Sequence, residues 1–200
     1  ISTYSDNMQL VSQGKRAFAT VDALNEQALK KILTDLELYD HFTEHERTSL
    51  WTVWHRLAAW PDSNAGIDAL KTHAQVGTLS NGNVELLADL AAFNGICWDH
   101  LLSGELYQIY KPAPTVYLKA AKQLNLSPNE ILLVASHKYD LQAAKACGYQ
   151  TAYIYRPTEF KEERPEQAPI DGEFDYWANG IDELAQILYP KPFKGHAASI

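Results

Sequence analysis

The sequence has little of several features that would point to a specialised class of protein. Its 200 residues include only two cysteines, too few for a disulfide scaffold. No stretch approaches the roughly 18 consecutive apolar residues that a membrane-spanning helix needs. Lys and Arg number 17 against 25 Asp and Glu, which gives a net charge of −8. A nucleic-acid surface needs a basic face. We therefore expect no nucleic-acid and no membrane partner, whereas a few local cations would suffice for a small anionic substrate.

Two features of the sequence bear on the cellular compartment, its cysteine content and its opening residues. Few cysteines favour a reducing compartment, and the opening residues form neither a signal peptide nor a transit peptide. We therefore expect a cytoplasmic protein. The chain begins with Ile1 rather than Met, which favours a start partway through a longer product and reduces the weight of the missing signal.

Hydrophobic spacing divides the chain into a helical part and an α/β part. Residues 1–60 have helical periodicity without a strand pattern, with an N-cap at Thr20 and a capping box that begins at Thr43. They predict a small helical cap subdomain. Residues 61–189 alternate apolar runs with helical segments, which is typical of a parallel sheet with helices on both faces. Residues 190–200 are expected to be a tail. The predicted strands are 76–79, 101–102, 131–134, 151–155 and 174–177.

Polar side chains come after three of the predicted strands. Ser80 and Asn81 follow the first strand, Lys111 lies in the loop after the second, and Asp140 follows the third. Because ligands of open α/β sheets bind at the carboxyl ends of the strands, we expect these groups to converge on one crevice. A simpler interpretation stays open for each of them, as helix caps for the serine, the asparagine and the aspartate and as a solvated charge for the lysine.

These segments resemble the haloacid dehalogenase superfamily, and within it the type II 2-haloacid dehalogenase group. The resemblance is carried by Ser80-Asn81-Gly82, by Tyr110-Lys111-Pro112 and by the run from Ile131 to Asp140, in the order and spacing of the family's motifs. It implies a Rossmannoid α/β core with a helical cap. It also implies that an Asp carboxylate displaces halide from the α-carbon of a 2-haloacid, with inversion, and that water then cleaves the resulting ester.

The resemblance also implies roles for individual residues. Ser80 matches the hydroxyl that holds the substrate carboxylate together with backbone N–H groups. Lys111 matches the lysine that neutralises the charge of the nucleophile, and Asp140 matches the acid of the fourth motif. These three are the expected catalytic residues. The expected substrate-binding residues are Asn81, with a contact to the leaving halide, and Tyr117, His137 and Tyr139.

Several positions depart from the family pattern. The family's nucleophilic Asp lies at the end of a first strand, upstream of the cap, and neither its motif nor the arginine at the start of the cap is found in the 200 residues. Asp175 stands in a superficially similar segment, but at the last strand and without the Gly-Thr of the motif, so we do not expect it to be the nucleophile. In the fourth motif Ala135 replaces a common serine and His137 a common asparagine, which leaves the substrate range open.

The missing strand has a consequence for folding. In this fold it lies in the middle of the sheet, so its two neighbours would expose unpaired backbone groups. Upstream residues of a longer chain, another segment of this chain or a strand from a second subunit would each fill the gap. The start at Ile1 favours the first. The 200 residues alone are predicted to be inactive.

The fourth motif also separates dehalogenases from the phosphatases of the superfamily. The phosphatases hold Mg²⁺ with the nucleophile and a pair of acids, whereas Ala135-Ser136 stands here where the first acid would fall. Asp140 alone would be a poor Mg²⁺ site. We therefore expect no metal and no other cofactor, with Mg²⁺ required only by a phosphatase. A (S)-2-haloacid dehalogenase-like hydrolase is the first hypothesis. A phosphatase and a truncated, non-catalytic chain that acts through oligomerisation are the alternatives, and a homodimer stays open.

Overall fold

The computed structural model describes residues 3–159 and 168–190. The first part of the chain is helical, as predicted, and both predicted caps are confirmed. The side chain of Thr20 caps the second helix, and a reciprocal capping box begins at Thr43. The α-helices here are α1 (Thr3–Ser12), α2 (Val21–Asp35) and α3 (Glu44–Trp51), and the 3-10 helices are Tyr39–His41 and Thr52–Arg56.

After Pro61 the chain alternates between strands and helices. The strands are β1 (Gly77–Ser80), β2 (His100–Ser103), β3 (Leu132–Ala135), β4 (Gln150–Ile154) and β5 (Tyr176–Ala178). The helices are α4 (Ser63–Lys71), α5 (Val84–Asn94), α6 (Gly104–Tyr107), α7 (Pro114–Leu124), α8 (Lys138–Ala146) and α9 (Ile181–Leu188), with a 3-10 helix at Pro128–Glu130. All five predicted strands are confirmed to within a few residues. The expected tail lies outside the described residues from position 191 onward.

All strand pairs are parallel, which confirms the predicted α/β class. The described strands form two separate sheets, one of β1 and β2 and one in the order β3-β4-β5. Ser80 is paired with Ser103 in the first sheet, and Ala135 with Tyr153 in the second. Within the described ranges, β1 and β3 each have a hydrogen-bonded neighbour on one side only.

A hydrophobic core spans the two sheets. Tyr117, Leu141 and Tyr153 are fully buried members of one cluster, and Leu79 from β1 packs against it. A second cluster lies between the β3-β4-β5 sheet and α9, with Ile154 among its buried members. The first cluster also contacts Ala135 at the end of β3, and its member Tyr117 reaches Asp140, one of the polar residues that follow this strand.

Helices α4 and α9 make an unusually close contact through Gly66. A Cβ atom at this position would lie 2.5 Å from the backbone nitrogen of Asp182 and 2.5 Å from the backbone carbon of Ile181. Only a residue without a side chain fits between the two helices at this distance. No helix in the described part of the chain is long and apolar enough to cross a membrane.

Two polar contacts join segments that are far apart in the sequence. The guanidinium of Arg156, after β4, makes a two-pronged ion pair with Asp62, at N···O distances of 2.8 and 2.7 Å. The imidazole of His55 lies between Asp22 of α2 and Asp89 of α5. The contact of His55 with Asp89 joins the helical part to the α/β part, so it forms only when the two parts are packed together.

Candidate active site

The loop after β1 is closed by its own side chains. Ser80 Oγ accepts a hydrogen bond from Gly82 N–H at 3.0 Å, which turns the chain sharply at the carboxyl end of the strand. Asn83 then begins α5 as its N-cap residue. Ser80 and Asn81 are thus located at a strand end and beside a helix N-terminus, a place that favours an anion. The first N–H group of this helix, that of Val84, donates to Glu105 Oε2 at 2.7 Å.

Lys111 and Asp140 form a buried ion pair at the same edge. Lys111 Nζ lies 2.5 Å from Asp140 Oδ2, and the side chains are 14% and 8% exposed. The hydroxyl of Tyr117 donates to the other carboxylate oxygen, Oδ1, at 2.5 Å. Both oxygens of Asp140 therefore have a donor, as a buried carboxylate requires.

Tyr117 contacts Asp140 from the buried side of the crevice. Its side chain is fully buried and belongs to the core cluster. Burial, together with the neighbouring Asp140 carboxylate, raises the pKa of Tyr117 far above its ordinary value, so the hydroxyl keeps its proton and remains a donor. The resemblance implies a substrate-binding role for Tyr117. In the structure its side chain contacts Asp140 from within the core.

Asn81 binds the backbone of Lys111 through both ends of its amide. Lys111 N–H donates to Asn81 Oδ1 at 2.6 Å, and Asn81 Nδ2 donates to the Lys111 carbonyl at 3.1 Å. Asn81, Lys111 and Asp140 come from three different strand-end segments, so this series of bonds brings the carboxyl ends of β1 and β3 to the same crevice. The structure thus brings together Ser80, Asn81, Lys111 and Asp140.

A second polar group lies at the carboxyl ends of β3 and β4. His137 Nε2 is 3.0 Å from Glu159 Oε1, and Ser136 Oγ donates to Glu159 Oε2 at 3.1 Å. The rings of His137 and Tyr139 are stacked with a centroid separation of 5.6 Å. Glu159 was not identified from the sequence, because it follows β4 in a loop and only the sheet topology brings it beside the fourth motif.

Residues of the helical part lie against the site. Met8 Sδ of α1 is 4.0 Å from Asn81 Nδ2, and the ring of Phe18 lies 4.7 Å from that of Tyr110. The Tyr110 hydroxyl donates to the carbonyl of Ala19. The segment between α1 and α2 therefore lies next to the residue that precedes Lys111, a contact that no sequence pattern predicts.

A family model described as haloacid dehalogenase-like hydrolase matches residues 4–148. The chain belongs to this family. The resemblance predicted from the motifs is thus confirmed, and so is the α/β fold class, because solved dehalogenase structures superpose closely on this haloacid dehalogenase-like chain.

Two relatives show the extent of the sequence similarity. (S)-2-haloacid dehalogenase 4A from Burkholderia cepacia is 32% identical over 171 residues, which are 82% of this chain and 69% of that protein. (S)-2-haloacid dehalogenase 1 from Pseudomonas sp. strain CBS-3 is 34% identical over 113 residues, which are 55% of this chain and 50% of that protein. For the second relative, the match thus spans only half of its length.

Solved structures give a closer match. An L-2-haloacid dehalogenase has 36% sequence identity and a TM-score of 0.88, over 94% of this chain and 82% of its own. A defluorinating L-2-haloacid dehalogenase has 38% identity and the same TM-score, over 94% of this chain and 77% of its own. The dehalogenase-like fold therefore extends over almost the whole chain.

Two observations concern the remaining acids. Asp175 lies at the amino end of β5, where its carboxylate accepts hydrogen bonds from the backbone and hydroxyl of Thr151 at 2.8 Å each. These bonds hold the pKa of Asp175 below its usual range, and the residue lies at the edge of the sheet opposite the crevice.

Among the described residues, no three His, Cys, Asp or Glu side chains are grouped to hold a metal ion.

Proposed function

We propose that the crevice acts in the hydrolytic dehalogenation of short 2-haloacids. The observation that carries this proposal is the buried Lys111–Asp140 pair beside the Ser80-Asn81 loop. In this reaction a nucleophilic carboxylate must approach a substrate that also carries a carboxylate, and the two negative charges repel each other. A buried ammonium next to backbone N–H groups reduces this repulsion. The names of the two relatives and two solved structures described above, each a 2-haloacid dehalogenase, support the same reaction.

In the proposed reaction, the carboxylate of an Asp that is not one of the 200 residues attacks the α-carbon of the haloacid. A carbon–oxygen bond forms as the carbon–halogen bond breaks, and the halide leaves with the electron pair. Water then attacks the carbonyl of the ester, which regenerates the carboxylate and releases a 2-hydroxy acid and a proton. The reaction is balanced without a redox or metal cofactor.

The described residues have distinct roles in this proposal. Ser80 and the N–H groups of its loop bind the substrate carboxylate. Lys111 lowers the repulsion between this carboxylate and the nucleophile, and Asp140 holds the ammonium in place. His137 and Tyr139, stacked on each other after β3, form one side of the substrate pocket.

We also propose that the nucleophile is delivered on a strand between β1 and β3. Both strands have a free edge within the described ranges. Leu79 of β1 packs on the same core cluster as Leu133 of β3, so the two strands border the same part of the core. A strand inserted there, parallel to both, would end at the crevice.

The test combines a mass with a halide assay. The intact mass of the purified natural protein shows whether residues beyond the 200 are present, and halide release is then measured with L-2-chloropropionate. We expect release by a protein that carries the extra strand, no release from the D-enantiomer and none by the 200 residues alone. Release of phosphate from p-nitrophenyl phosphate in Mg²⁺, without halide release, would instead favour the phosphatase.

Two further expectations accompany this proposal. The low cysteine content favours a cytoplasmic location, and a homodimer is the oligomer to test for, by light scattering of the same preparation. Both are properties of the whole protein rather than of the crevice.

A further inference from the structure

Residues 57–61 connect the helical part to the α/β part, and the end of α5 holds this connection in place. Asn94, the last residue of α5, accepts the N–H of Ala59 at 2.8 Å and donates to the carbonyl of Leu57 at 3.0 Å. Neither bond involves a group that titrates, so the connection is held in the same way over the whole pH range of the folded protein. A movement of the helical part against α5 would therefore turn about this connection.

His55 bonds the helical part to the middle of α5, just before the connection. Its Nδ1 lies 2.8 Å from Asp89 Oδ2 in α5, and its Nε2 lies 3.1 Å from Asp22 Oδ1 in α2. The imidazolium has an N–H on each ring nitrogen and donates to both carboxylates, whereas the neutral ring has only one N–H. Loss of one proton therefore removes one of these two hydrogen bonds.

The two carboxylates differ in how well water can replace the imidazole. The side chain of Asp22 is 13% exposed and that of Asp89 is 55% exposed. A buried carboxylate that loses a donor bears the cost of its desolvation, whereas an exposed one is hydrated. The neutral ring therefore keeps its N–H on Nε2, for Asp22. The bond that is lost is the one to Asp89, which crosses from the helical part to α5, and the lone pair of Nδ1 then repels the Asp89 carboxylate.

The surroundings of the ring favour its charged form. Glu85 of α5 and Arg56, the next residue in the chain, line the same surface pocket as His55, and α3 contributes the uncharged Trp51 to it. Burial opposes the charge of the imidazolium, but the hydrogen bonds and charges of the two carboxylates outweigh burial and raise the pKa of His55. The bond to α5 therefore persists to a higher pH than an isolated histidine would allow, and it is lost as the pH rises through the raised pKa.

We propose that protonation of His55 controls how the helical part is held against α5 and thereby controls access to the crevice. The protonated ring holds the helical part closed on Asp89. The neutral ring releases it, and the helical part opens about the connection at Asn94. Access is affected because Met8 of the helical part lies 4.0 Å from Asn81 Nδ2 in the crevice. The effect on access rests on the proposed function, whereas the opening itself does not.

The first test determines which nitrogen of His55 keeps its proton. Nitrogen NMR spectra of the full protein labelled with ¹⁵N-histidine distinguish a ring nitrogen that carries a proton from one that does not, and His55→Gln identifies the His55 signals. We expect both nitrogens to be protonated at low pH and only Nε2 at high pH. A proton on Nδ1 at high pH would keep the bond to Asp89 and would overturn the proposal, and so would a ring that does not titrate.

The second test measures the movement of the helical part. Spin labels are attached to Cys97, which is exposed in the α/β part, and to Glu26→Cys on the exposed side of α2, in a protein with Cys147→Ser. We expect the distance distribution between the labels to shift or broaden as the pH rises through the pKa of His55. With His55→Gln added, the distribution should be the open one at every pH, whereas added His73→Gln should keep the pH response. A distribution that is the same at low and high pH would contradict the opening.

A second variant keeps this test decisive if His55→Gln does not fold. Asp89→Ala removes the exposed carboxylate on α5 and leaves the buried contact of His55 with Asp22 in place. We expect it to give the open distribution at every pH. A closed distribution in Asp89→Ala would show that this carboxylate does not hold the helical part.

The third test connects the opening to the reaction. Because substrate must enter past the helical part, we expect kcat/KM for halide release to rise by about 10-fold as the pH passes the pKa of His55, the effect of one hydrogen bond to a charged group. This step should be absent from His55→Gln and present in His73→Gln. A step that remains in His55→Gln would show that His55 does not control access. If the unmodified protein releases no halide, the proposed function fails, and the NMR and spin-label measurements still decide whether His55 holds the helical part.

Discussion

His55 Nδ1 lies 2.8 Å from Asp89 Oδ2, and the opposite ring nitrogen, Nε2, lies 3.1 Å from Asp22 Oδ1. A neutral imidazole has one N–H and could donate to only one of these carboxylates. The imidazolium donates to both. Asn83 Nδ2 donates to the second oxygen of Asp22 at 2.7 Å, so the contact also includes the residue that begins α5.

The pH dependence of stability should reflect this imidazole. Burial opposes its charge, but the hydrogen bonds and charges of Asp89 and Asp22 outweigh burial and raise the pKa of His55. A raised pKa in the folded state stabilises the protein fully below the unfolded value of about 6.5, and this contribution is lost as the pH rises through the folded pKa. We expect the free energy of unfolding of His55→Gln to be lower than that of the unmodified protein at low pH. The two values should converge as the pH rises.

Urea unfolding at a series of pH values measures this difference. Arg56, Glu85 and Asp89 line the same surface pocket as His55, so the ionic strength is kept constant. His73→Gln is the matched control, because the ring of His73 stacks on that of Tyr189, whereas the ring of His55 lies between two carboxylates. A difference for His55→Gln that stays constant from pH 5 to 9 would show that His55 does not change its charge between the two carboxylates.

Replacing Lys111 should affect both rate and stability. We expect Lys111→Ala to lower halide release by about 10²- to 10³-fold, because a preorganised charge is lost. It should also cost about 3–5 kcal/mol of unfolding free energy, since Asp140 is left buried without its cation. Lys31→Ala is the control: its pair with Asp35 has 64% and 59% exposed side chains and should cost under about 1 kcal/mol. Equal losses for the two variants in urea would contradict the burial argument.

The hydroxyl of Tyr117 should contribute mainly by satisfying Asp140. We expect Tyr117→Phe to lower the free energy of unfolding by about 1–3 kcal/mol, the cost of leaving a buried acceptor without its donor. Tyr107→Phe removes a hydroxyl that donates to Gln123 in an exposed contact and should change stability by about 0.5 kcal/mol or less. Thermal and urea unfolding of the pair decide the matter, and a neutral Tyr117→Phe would mean that Lys111 alone satisfies the carboxylate.

Gly66 offers a prediction whose sign depends on packing. By helix propensity alone, Gly66→Ala in α4 would stabilise the protein by about 1 kcal/mol. The backbone of Ile181 and Asp182 lies 2.5 Å from the new methyl position, so α9 must move, at a cost of about 1–3 kcal/mol. We expect a lower melting temperature in calorimetry. A higher one would show that the two helices separate freely.

The sequence predicted the elements whose pattern is local. Helical periodicity was recognised in the first 60 residues, and the capping chemistry of Thr20 and Thr43 identified two helix starts. The strands were found because short apolar runs ended in turn residues. The short α6 at Gly104–Tyr107 was not predicted, since four residues are too few for a period to be recognised.

The site was predictable in its composition but not in its contacts. The rule that ligands bind at the carboxyl ends of parallel strands selects Ser80, Lys111 and Asp140 from the sequence alone. It could not foresee that the amide of Asn81 binds the backbone of Lys111, or that Glu159 lies beside His137. These contacts depend on distances between segments more than 20 residues apart in the sequence, which no local pattern encodes.

The series of bonds from Asn81 through Lys111 to Asp140 spans sequence separations of 30 and 29 residues. Each bond closes a long loop, and the chain entropy lost in closing it must be offset by other contacts of the folded domain. The ammonium therefore acquires its position only when α7 and α8 have docked. In a partly folded form the Lys111 ammonium has no fixed position beside Asp140. The electrostatic environment of the crevice therefore depends on the folding of the whole domain.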